Sequence, residues 1–138
     1  NDSTFCFTYG DGLSDVNLKN LLKFHSDNKS IATVTAVQPP GKFGSLEFAG
    51  NKVTKFLEKP VGDNSWINGG FFVLEPEIFN YMDGDSTIWE KQPLEKLATE
   101  KELSAYRHND FWQSLDTLRD KTYLEKLWNS GNAPWKIW

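Results

Sequence analysis

Cysteine and clustered basic residues are scarce in this sequence. Its single cysteine, Cys6, cannot form an internal disulfide, which indicates a protein of a reducing compartment. Because Cys6 lies within an apolar segment, we expect it to be a small core residue. Lys and Arg number 15 against 19 Asp and Glu, for a net charge of −4 at pH 7. Nucleic-acid backbones require clustered positive charge, so we expect no nucleic-acid partner.

Long apolar runs are also missing. A membrane helix needs about 20 consecutive apolar residues, and charged residues, a quarter of the chain, interrupt every run well before that length. We also find no secretory signal peptide. The composition therefore predicts a cytoplasmic protein that does not interact with membranes.

Aromatic residues, by contrast, are abundant, at 14% of the chain with six tryptophans. So many large rings in 138 residues predict a wide apolar surface, which could belong to a core, a ligand cleft or a subunit contact. The composition does not decide between these three. The length fits one domain of common size.

The pattern of apolar residues alternates between strand and helix periods along the chain. It predicts an α/β fold with a mixed, mostly parallel sheet and flanking helices. Strands are predicted at 3–9, 31–37, 45–48, 52–58, 66–74, 103–108 and 111–113, with a hairpin turn at 49–51. Helices are predicted after Asp15, from Pro76 to Met82, from Pro93 to about Lys101, and from Leu118 up to Gly131.

Several local signals make this prediction specific. Asp15 is a good N-cap for the first helix, and residues 87–90 resemble a capping box for a later one. The strand, helix and strand of residues 3–37 predict a right-handed crossover and a parallel pair. His25 has no second ligand nearby, so a packed or a solvent-facing position is a better expectation for it than metal binding. We expect the last helix to pack with the apolar residues Leu118, Tyr123, Leu124, Leu127 and Trp128.

Two acidic motifs are candidates for a ligand site. Gly10-Asp11-Gly12 follows the first strand, and ligands of open α/β sheets bind at carboxyl ends of strands. Taken alone, this motif is more typical of an ordinary turn. Asp83-Gly84-Asp85 matches the acid-x-acid pattern of metal-dependent glycosyltransferases, but at a helix boundary it too is more typical of a turn.

Three motifs taken together resemble one family. They are Thr8-Tyr9-Gly10-Asp11-Gly12, then Glu58-Lys59-Pro60 followed by Asn68-Gly69-Gly70, and finally residues 112–117, Trp-Gln-Ser-Leu-Asp-Thr. In this order and spacing the sequence resembles the sugar-phosphate nucleotidylyltransferases. The resemblance extends over essentially the whole chain, and it implies a Rossmann-like nucleotidyltransferase fold. It also implies that residues 1–138 are the C-terminal part of a single nucleotidyltransferase domain.

The resemblance implies a role for each matching residue. The catalytic group is Asp11, Lys59 and Asp116, in which the two aspartates hold Mg²⁺ and the lysine meets the sugar phosphate. The remaining matches are substrate-binding positions. Glu58 accepts hydrogen bonds from sugar hydroxyls, Gly10 packs against the nucleotide, and the sugar pocket is lined by Gly44, Asn68 and Gly69.

The implied reaction is the transfer of a cytidylyl group from CTP to α-D-glucose 1-phosphate, with pyrophosphate as the second product. The family's glycine-rich triphosphate loop, with its basic residue, has no counterpart in this sequence. We therefore expect that an N-terminal nucleotide-binding part is missing and that the 138 residues alone are inactive. Uncovered apolar surface around Phe5, Phe7 and Val34 should then favour self-association, so we expect a homo-oligomer.

Other functions stay open on the sequence alone. The chain could be a non-catalytic module that binds a sugar phosphate or joins another subunit through its Trp-rich surface. The nucleotide could be UTP or dTTP, since the base-reading segment is not present. A glycosyltransferase would instead use Asp83 and Asp85 as its metal ligands.

Overall fold

The computed structural model describes residues 3–39, 45–57 and 65–138. Within these ranges the chain forms strands β1 (Phe5–Thr8), β2 (Gly12–Ser14), β3 (Ala32–Val37), β4 (Ser45–Ala49), β5 (Lys52–Leu57), β6 (Ile67–Leu74), β7 (Leu103–His108) and β8 (Trp112–Ser114). The helices are α1 (Leu18–Asn28), a 3₁₀ helix (Pro76–Tyr81), α2 (Gln92–Thr99) and α3 (Leu118–Asn129). The predicted order of strands and helices is confirmed except that β2 was not predicted and no helix begins at residues 87–90.

Four strands form the main sheet, in the order β1, β6, β3, β7. Strand β6 is antiparallel to both β1 and β3, whereas β3 and β7 are parallel. The α/β class and the mixed sheet are therefore confirmed, but parallel pairing does not dominate the described strands. The predicted direct pairing of β1 with β3 is wrong. Both strands run in one direction, and β6, which comes later in the chain, lies between them.

The core lies where β3 and β6 meet the 3₁₀ helix and α2. Its fully buried cluster consists of Ala32, Phe72, Leu74, Ile78 and Leu97. Ala32, Phe72 and Leu74 lie in the two central strands, whose apolar and β-branched runs are typical of strands covered on both faces, whereas Ile78 and Leu97 come from the 3₁₀ helix and α2. Burial of such side chains is the main driving force of the fold.

Helix α1 begins later than the sequence predicts. Its N-cap is Asn17, whose Oδ1 accepts a hydrogen bond from the backbone N–H of Asn20 at 3.1 Å. Asp15 is not the cap, because its carboxylate Oδ1 accepts a hydrogen bond from Nε2 of His108 at 2.9 Å. Asp15 therefore connects the start of this helix to the end of β7.

The capping box predicted at residues 87–90 is also wrong. Helix α2 begins at Gln92, after Lys91, with no capping hydrogen bond from a side chain. The hydroxyl of Thr87 instead accepts a hydrogen bond from the backbone N–H of Asp83 at 3.0 Å. A true capping box occurs at α3, between Thr117 and Asp120.

Two predictions of burial are wrong. Cys6 is exposed, because β1 lies at the edge of the sheet and only its Phe5 is even half-buried. In α3 only Leu124 is buried, whereas Leu118 is 77% exposed and Trp128 is 48% exposed. The described part of the chain therefore presents much of its apolar surface to solvent.

His25 has the structural role that was expected. It is buried, with Nδ1 2.8 Å from Oγ1 of Thr33 and Nε2 2.8 Å from Oε1 of Glu75. The same carboxylate accepts a hydrogen bond from the hydroxyl of Thr4. His25 thus ties α1 to β3 and to the residue that follows β6. None of the helices in the described ranges has the length and the apolar character that a membrane span requires.

Candidate active site

A two-stranded ribbon outside the main sheet brings the two predicted metal ligands together. Strands β2 and β8 are antiparallel, with Gly12 opposite Ser114. One position further along, the backbone N–H of Leu115 donates to the C=O of Asp11 at 2.7 Å. Asp11 and Asp116, 105 positions apart in the sequence, therefore lie at the same end of one ribbon.

The segment that carries Asp116 is held firmly. Oδ2 of Asp116 accepts a hydrogen bond from the hydroxyl of Ser114 at 2.7 Å. Directly after it, the side chain of Asp120 accepts from the backbone N–H of Asp116 at 3.3 Å and from that of Thr117 at 3.0 Å. The carboxylate of Asp116 is exposed, and its backbone is constrained by the start of α3.

The donors at the ribbon end fit a magnesium ion bound jointly with substrate. Mg²⁺ in phosphate-transferring sites takes one or two carboxylates, together with phosphate oxygens and water. Both aspartates are exposed and can offer oxygens to such an ion. Residues 3–39, 45–57 and 65–138 contain no cluster of three or more Asp, Glu, His or Cys side chains that could hold a metal by themselves. Two carboxylates suit a hard cation whose remaining coordination positions are filled by phosphate oxygens and water.

A cleft of about 630 Å³ opens beside Asp11. One wall is the segment Tyr9, Gly10 and Asp11 after β1, and the other is formed by Ile88, Trp89 and Glu90. The cleft is shallow and open to solvent, so a ligand in it would be covered on one side only. Sequence reasoning missed the second wall, because residues 87–90 were interpreted as the start of a helix.

Tyr9 connects the two walls of the cleft. Its ring packs edge to face against Phe72, with the centroids 5.9 Å apart. Its hydroxyl accepts a hydrogen bond from Nδ2 of Asn68 at 3.2 Å and interacts with Glu90. Burial raises the pKa of Tyr9 from 10.0 to about 12, the Glu90 carboxylate adds to the increase, and the hydrogen bond from Asn68 opposes it. Tyr9 therefore stays neutral at physiological pH.

The paired glycines of β6 are explained by protein contacts. A Cβ on Gly69 would lie 2.8 Å from the carbonyl oxygen of Thr35 and 2.9 Å from a methyl group of Val37. Gly70 has φ +82°, and a Cβ there would lie 2.7 Å from the Tyr9 ring. The close approach that these glycines suggested in the sequence is thus made by the neighbouring strand and by Tyr9.

Asn68 is held in a defined orientation. Its Oδ1 accepts a hydrogen bond from the backbone N–H of Gly70 at 2.8 Å, and its Nδ2 donates to Tyr9. The side chain is exposed, so a ligand can reach the amide. Next to it, the C=O of Gly69 accepts a hydrogen bond from Nε1 of Trp112 at 2.8 Å, which links β6 to the β2 and β8 ribbon.

The structure groups most of the described candidates. Gly10 and Asp11 line the cleft, and Asp11 and Asp116 flank one end of the ribbon. Asn68 is hydrogen-bonded to Tyr9, and Gly69 is hydrogen-bonded to Trp112 of the ribbon. Gly44, Glu58 and Lys59 lie outside the described residues, so their predicted roles stay predictions. Tyr9, Glu90 and Trp112 were not singled out from the sequence; the position of Tyr9 and Trp112 inside the recognised motifs was the available signal.

Asp83-Gly84-Asp85 forms a turn, as its position beside a helix suggested. The backbone N–H of Thr87 donates to the C=O of Gly84 at 3.0 Å, and Thr87 in turn holds Asp83. These hydrogen bonds account for the motif as a turn, and the glycosyltransferase role of Asp83 and Asp85 stays a hypothesis.

The mixed sheet with flanking helices makes this an α/β protein, and the comparison with family models identifies its family. Residues 1–125 match the nucleotidyl transferase family, so this chain belongs to that family. It is 52% identical over 137 residues to the glucose-1-phosphate cytidylyltransferase of Salmonella typhimurium, a match that covers 99% of this chain and 53% of that protein. It is also 33% identical over 129 residues to mannose-1-phosphate guanylyltransferase 1 of Arabidopsis thaliana, covering 85% of this chain and 35% of that protein.

The chain thus spans about half the length of the Salmonella protein. Among solved structures, HddC from Yersinia pseudotuberculosis matches with a TM-score of 0.60 at 20% identity. That match covers 88% of this chain and 53% of HddC, and at this identity it supports the fold alone.

Proposed function

We propose that this chain forms the sugar-phosphate and metal-binding part of an enzyme that transfers a cytidylyl group from CTP to α-D-glucose 1-phosphate. The observation that carries the proposal is the 52% identity to a glucose-1-phosphate cytidylyltransferase, which extends over 99% of the chain. The pairing of the Asp11 and Asp116 segments supports it, because two acids at one end of a ribbon beside a cleft suit a phosphate-transfer site.

The proposed reaction is a single displacement. An oxygen of the sugar 1-phosphate attacks the α-phosphorus of CTP, the bond to the β-phosphate oxygen breaks, and pyrophosphate leaves in line. The products are CDP-glucose and pyrophosphate, and no covalent enzyme intermediate is needed. The protein must align two polyanions that repel each other and must neutralise charge on the phosphate oxygens.

The proposed residue roles follow from this requirement. Asp11 and Asp116 would hold Mg²⁺, which when bound neutralises phosphate charge and orients the triphosphate. Lys59 would contact the sugar phosphate, and Glu58 would accept hydrogen bonds from sugar hydroxyls. Gly10 would lie against the nucleotide, whereas Gly44, Asn68 and Gly69 would line the sugar pocket.

The cellular location and the oligomeric state of the protein are also proposals. Nucleotide-sugar synthesis draws on soluble CTP and sugar phosphates, so we place the protein in the cytoplasm. Large apolar side chains that are more than half exposed, among them Phe56, Leu118 and Trp138, favour assembly into a homo-oligomer.

The decisive experiment uses the complete gene product with CTP, glucose 1-phosphate and Mg²⁺. We expect equal amounts of CDP-glucose, measured by anion-exchange chromatography, and pyrophosphate, measured enzymatically, and we expect chelation by EDTA to stop both. UTP, dTTP and mannose 1-phosphate, tested in parallel, establish the preference for base and sugar. Tight binding of glucose 1-phosphate without any pyrophosphate release would contradict the proposal and identify a binding module.

A further inference from the structure

We propose that Trp112 is a positioning residue. Its indole N–H holds the ribbon of β2 and β8, which carries Asp11 and Asp116, at a fixed separation from strand β6, which carries Asn68 and Gly69. The inference rests on the proposed function, because it joins the metal site to the sugar pocket of that reaction.

The contact itself is a direct hydrogen bond between the two parts of the site. Nε1 of Trp112, a residue of β8, donates to the C=O of Gly69 in β6 at 2.8 Å. The indole N–H is the only hydrogen-bonding group of a tryptophan side chain, so removing it removes this bond. The side chain is half-buried, which shields the bond from competing water.

The β6 end of this bond is packed closely against β3. Gly69 is buried, and its Cα is so close to β3 that a Cβ would lie 2.8 Å from the C=O of Thr35. At the next residue, Gly70, the absence of a Cβ leaves room for the ring of Tyr9. The carbonyl that Trp112 binds therefore belongs to a buried segment of the main sheet.

The other end of the ribbon carries the acids. Two residues beyond Trp112, the hydroxyl of Ser114 binds Oδ2 of Asp116 at 2.7 Å. Ser114 is also paired with Gly12, the neighbour of Asp11. A shift of the ribbon at Trp112 is consequently transmitted over a few residues to both carboxylates, and a misplacement of about 1 Å can cost about 100-fold in rate.

The test separates positioning from simple packing by measuring how strongly two ligands influence each other. Glucose 1-phosphate is titrated by calorimetry into the complete gene product, with and without saturating Mn²⁺ as the probe metal. The ratio of the two dissociation constants is the coupling factor. A ligand pair aligned across one site should have a factor within the range of about 5 to 150.

We expect Trp112→Phe, which keeps an aromatic ring but lacks the N–H, to reduce this factor to near one. The dissociation constant of each ligand measured alone should change by less than about twofold, because neither binding group is altered. The coupling factor should fall by about fivefold or more. The matched control is Trp128→Phe on α3, which removes an exposed indole and should leave the factor unchanged. A wild-type factor of one, or the same factor in wild type and Trp112→Phe, would overturn the proposal.

Two additions keep the result unambiguous. If Trp112→Phe does not fold, benzothienylalanine is introduced at position 112 by nonsense suppression, since its sulfur replaces the N–H while the shape is kept. The same loss of coupling is then expected, and an unchanged factor overturns the proposal.

Cytidylyl transfer is measured on the same samples. If Trp112→Phe loses the coupling but the wild type shows no transfer, the proposed function is contradicted and positioning is supported. If the wild type shows transfer but Trp112→Phe keeps the wild-type coupling factor, positioning alone is contradicted.

Discussion

The backbone N–H of Leu115 donates a 2.7 Å hydrogen bond to the C=O of Asp11. This bond extends the ladder between β2 and β8 by one step, and it places Asp116 beside the loop that carries Asp11. Two residues far apart in the sequence are thereby brought to one end of the ribbon, and one of them, Asp11, also lines the 630 Å³ cleft.

Loss of either acid should abolish most of the activity. We expect Asp11→Asn and Asp116→Asn, in the complete gene product, each to lower kcat/KM by about 100-fold or more, because a charged oxygen ligand of the metal is replaced by a neutral one. Steady-state pyrophosphate release at several Mg²⁺ concentrations measures the effect. Circular dichroism should show an unchanged fold, since both side chains are exposed.

The matched control for these variants is Asp85→Asn. Asp85 is exposed and belongs to the turn after the 3₁₀ helix, so we expect activity within about twofold of wild type, as for surface changes generally. A large loss in Asp85→Asn, with little effect at Asp11, would instead support the glycosyltransferase hypothesis.

The pair Glu58 and Lys59 should act on the sugar substrate. We expect Lys59→Ala to raise KM for glucose 1-phosphate by a factor that corresponds to about 1.5–3 kcal/mol, the value of a charged hydrogen bond. Glu58→Ala should instead reduce discrimination between glucose 1-phosphate and other sugar phosphates. Steady-state kinetics with glucose 1-phosphate and with mannose 1-phosphate measure both effects. Unchanged kinetics in both folded variants would show that Glu58 and Lys59 have other roles.

The two glycines of β6 should be needed for stability. Gly69→Ala would place a Cβ 2.8 Å from the backbone oxygen of Thr35, an overpacking that costs about 1–3 kcal/mol. Gly70→Ala would add strain at φ +82°, which costs about 1–2 kcal/mol, and a clash with the Tyr9 ring. Urea denaturation measures the free energy of unfolding of each variant.

Gly10→Ala provides the comparison for these two. A Cβ at Gly10 would have no neighbour within 4 Å, so we expect little change in the free energy of unfolding. Equal destabilisation by all three substitutions would mean that the close contacts at Gly69 and Gly70 are not the cause.

Tyr9 should make stability fall at alkaline pH. Its pKa is raised to about 12 in the folded protein, against 10.0 for an ordinary tyrosine. The folded state therefore holds the proton more tightly than the unfolded state. The contribution of this proton to the free energy of unfolding is complete below pH 10 and is lost as the pH rises through about 12. In Tyr9→Phe the decline in the free energy of unfolding between pH 9 and pH 11.5 should be smaller than in wild type. Parallel curves for the two proteins would contradict this.

The edge strand β1 should promote association. Within the described residues β1 pairs on one side only, with β6, and its Phe7 is 38% exposed. Unpaired backbone groups beside apolar side chains invite pairing with another chain. We expect the 138-residue chain, produced alone, to self-associate in light scattering and to lack nucleotidyl transfer. A monodisperse monomer that forms CDP-glucose would contradict both expectations.

Much of the secondary structure was predictable, because it depends on local patterns. The β-branched run at 31–37 and the hairpin around 49–51 formed as expected, since a period of two residues and a short polar turn are visible in the sequence. The caps were less predictable. Asp15 and Asn17 are both good N-caps, and the choice depended on His108, which is 93 positions from Asp15 in the sequence.

The sequence by itself determined the family, the α/β class and the motifs that carry the acids, because these depend on the order and spacing of residue types. Only the tertiary structure decided that β6 separates β1 from β3 and that Cys6 is exposed. It also decided that Glu90 meets Tyr9 and that Trp112 binds Gly69. These contacts join segments between 43 and 81 residues apart, and no local pattern encodes which of many apolar or polar partners a side chain will meet once the chain is packed.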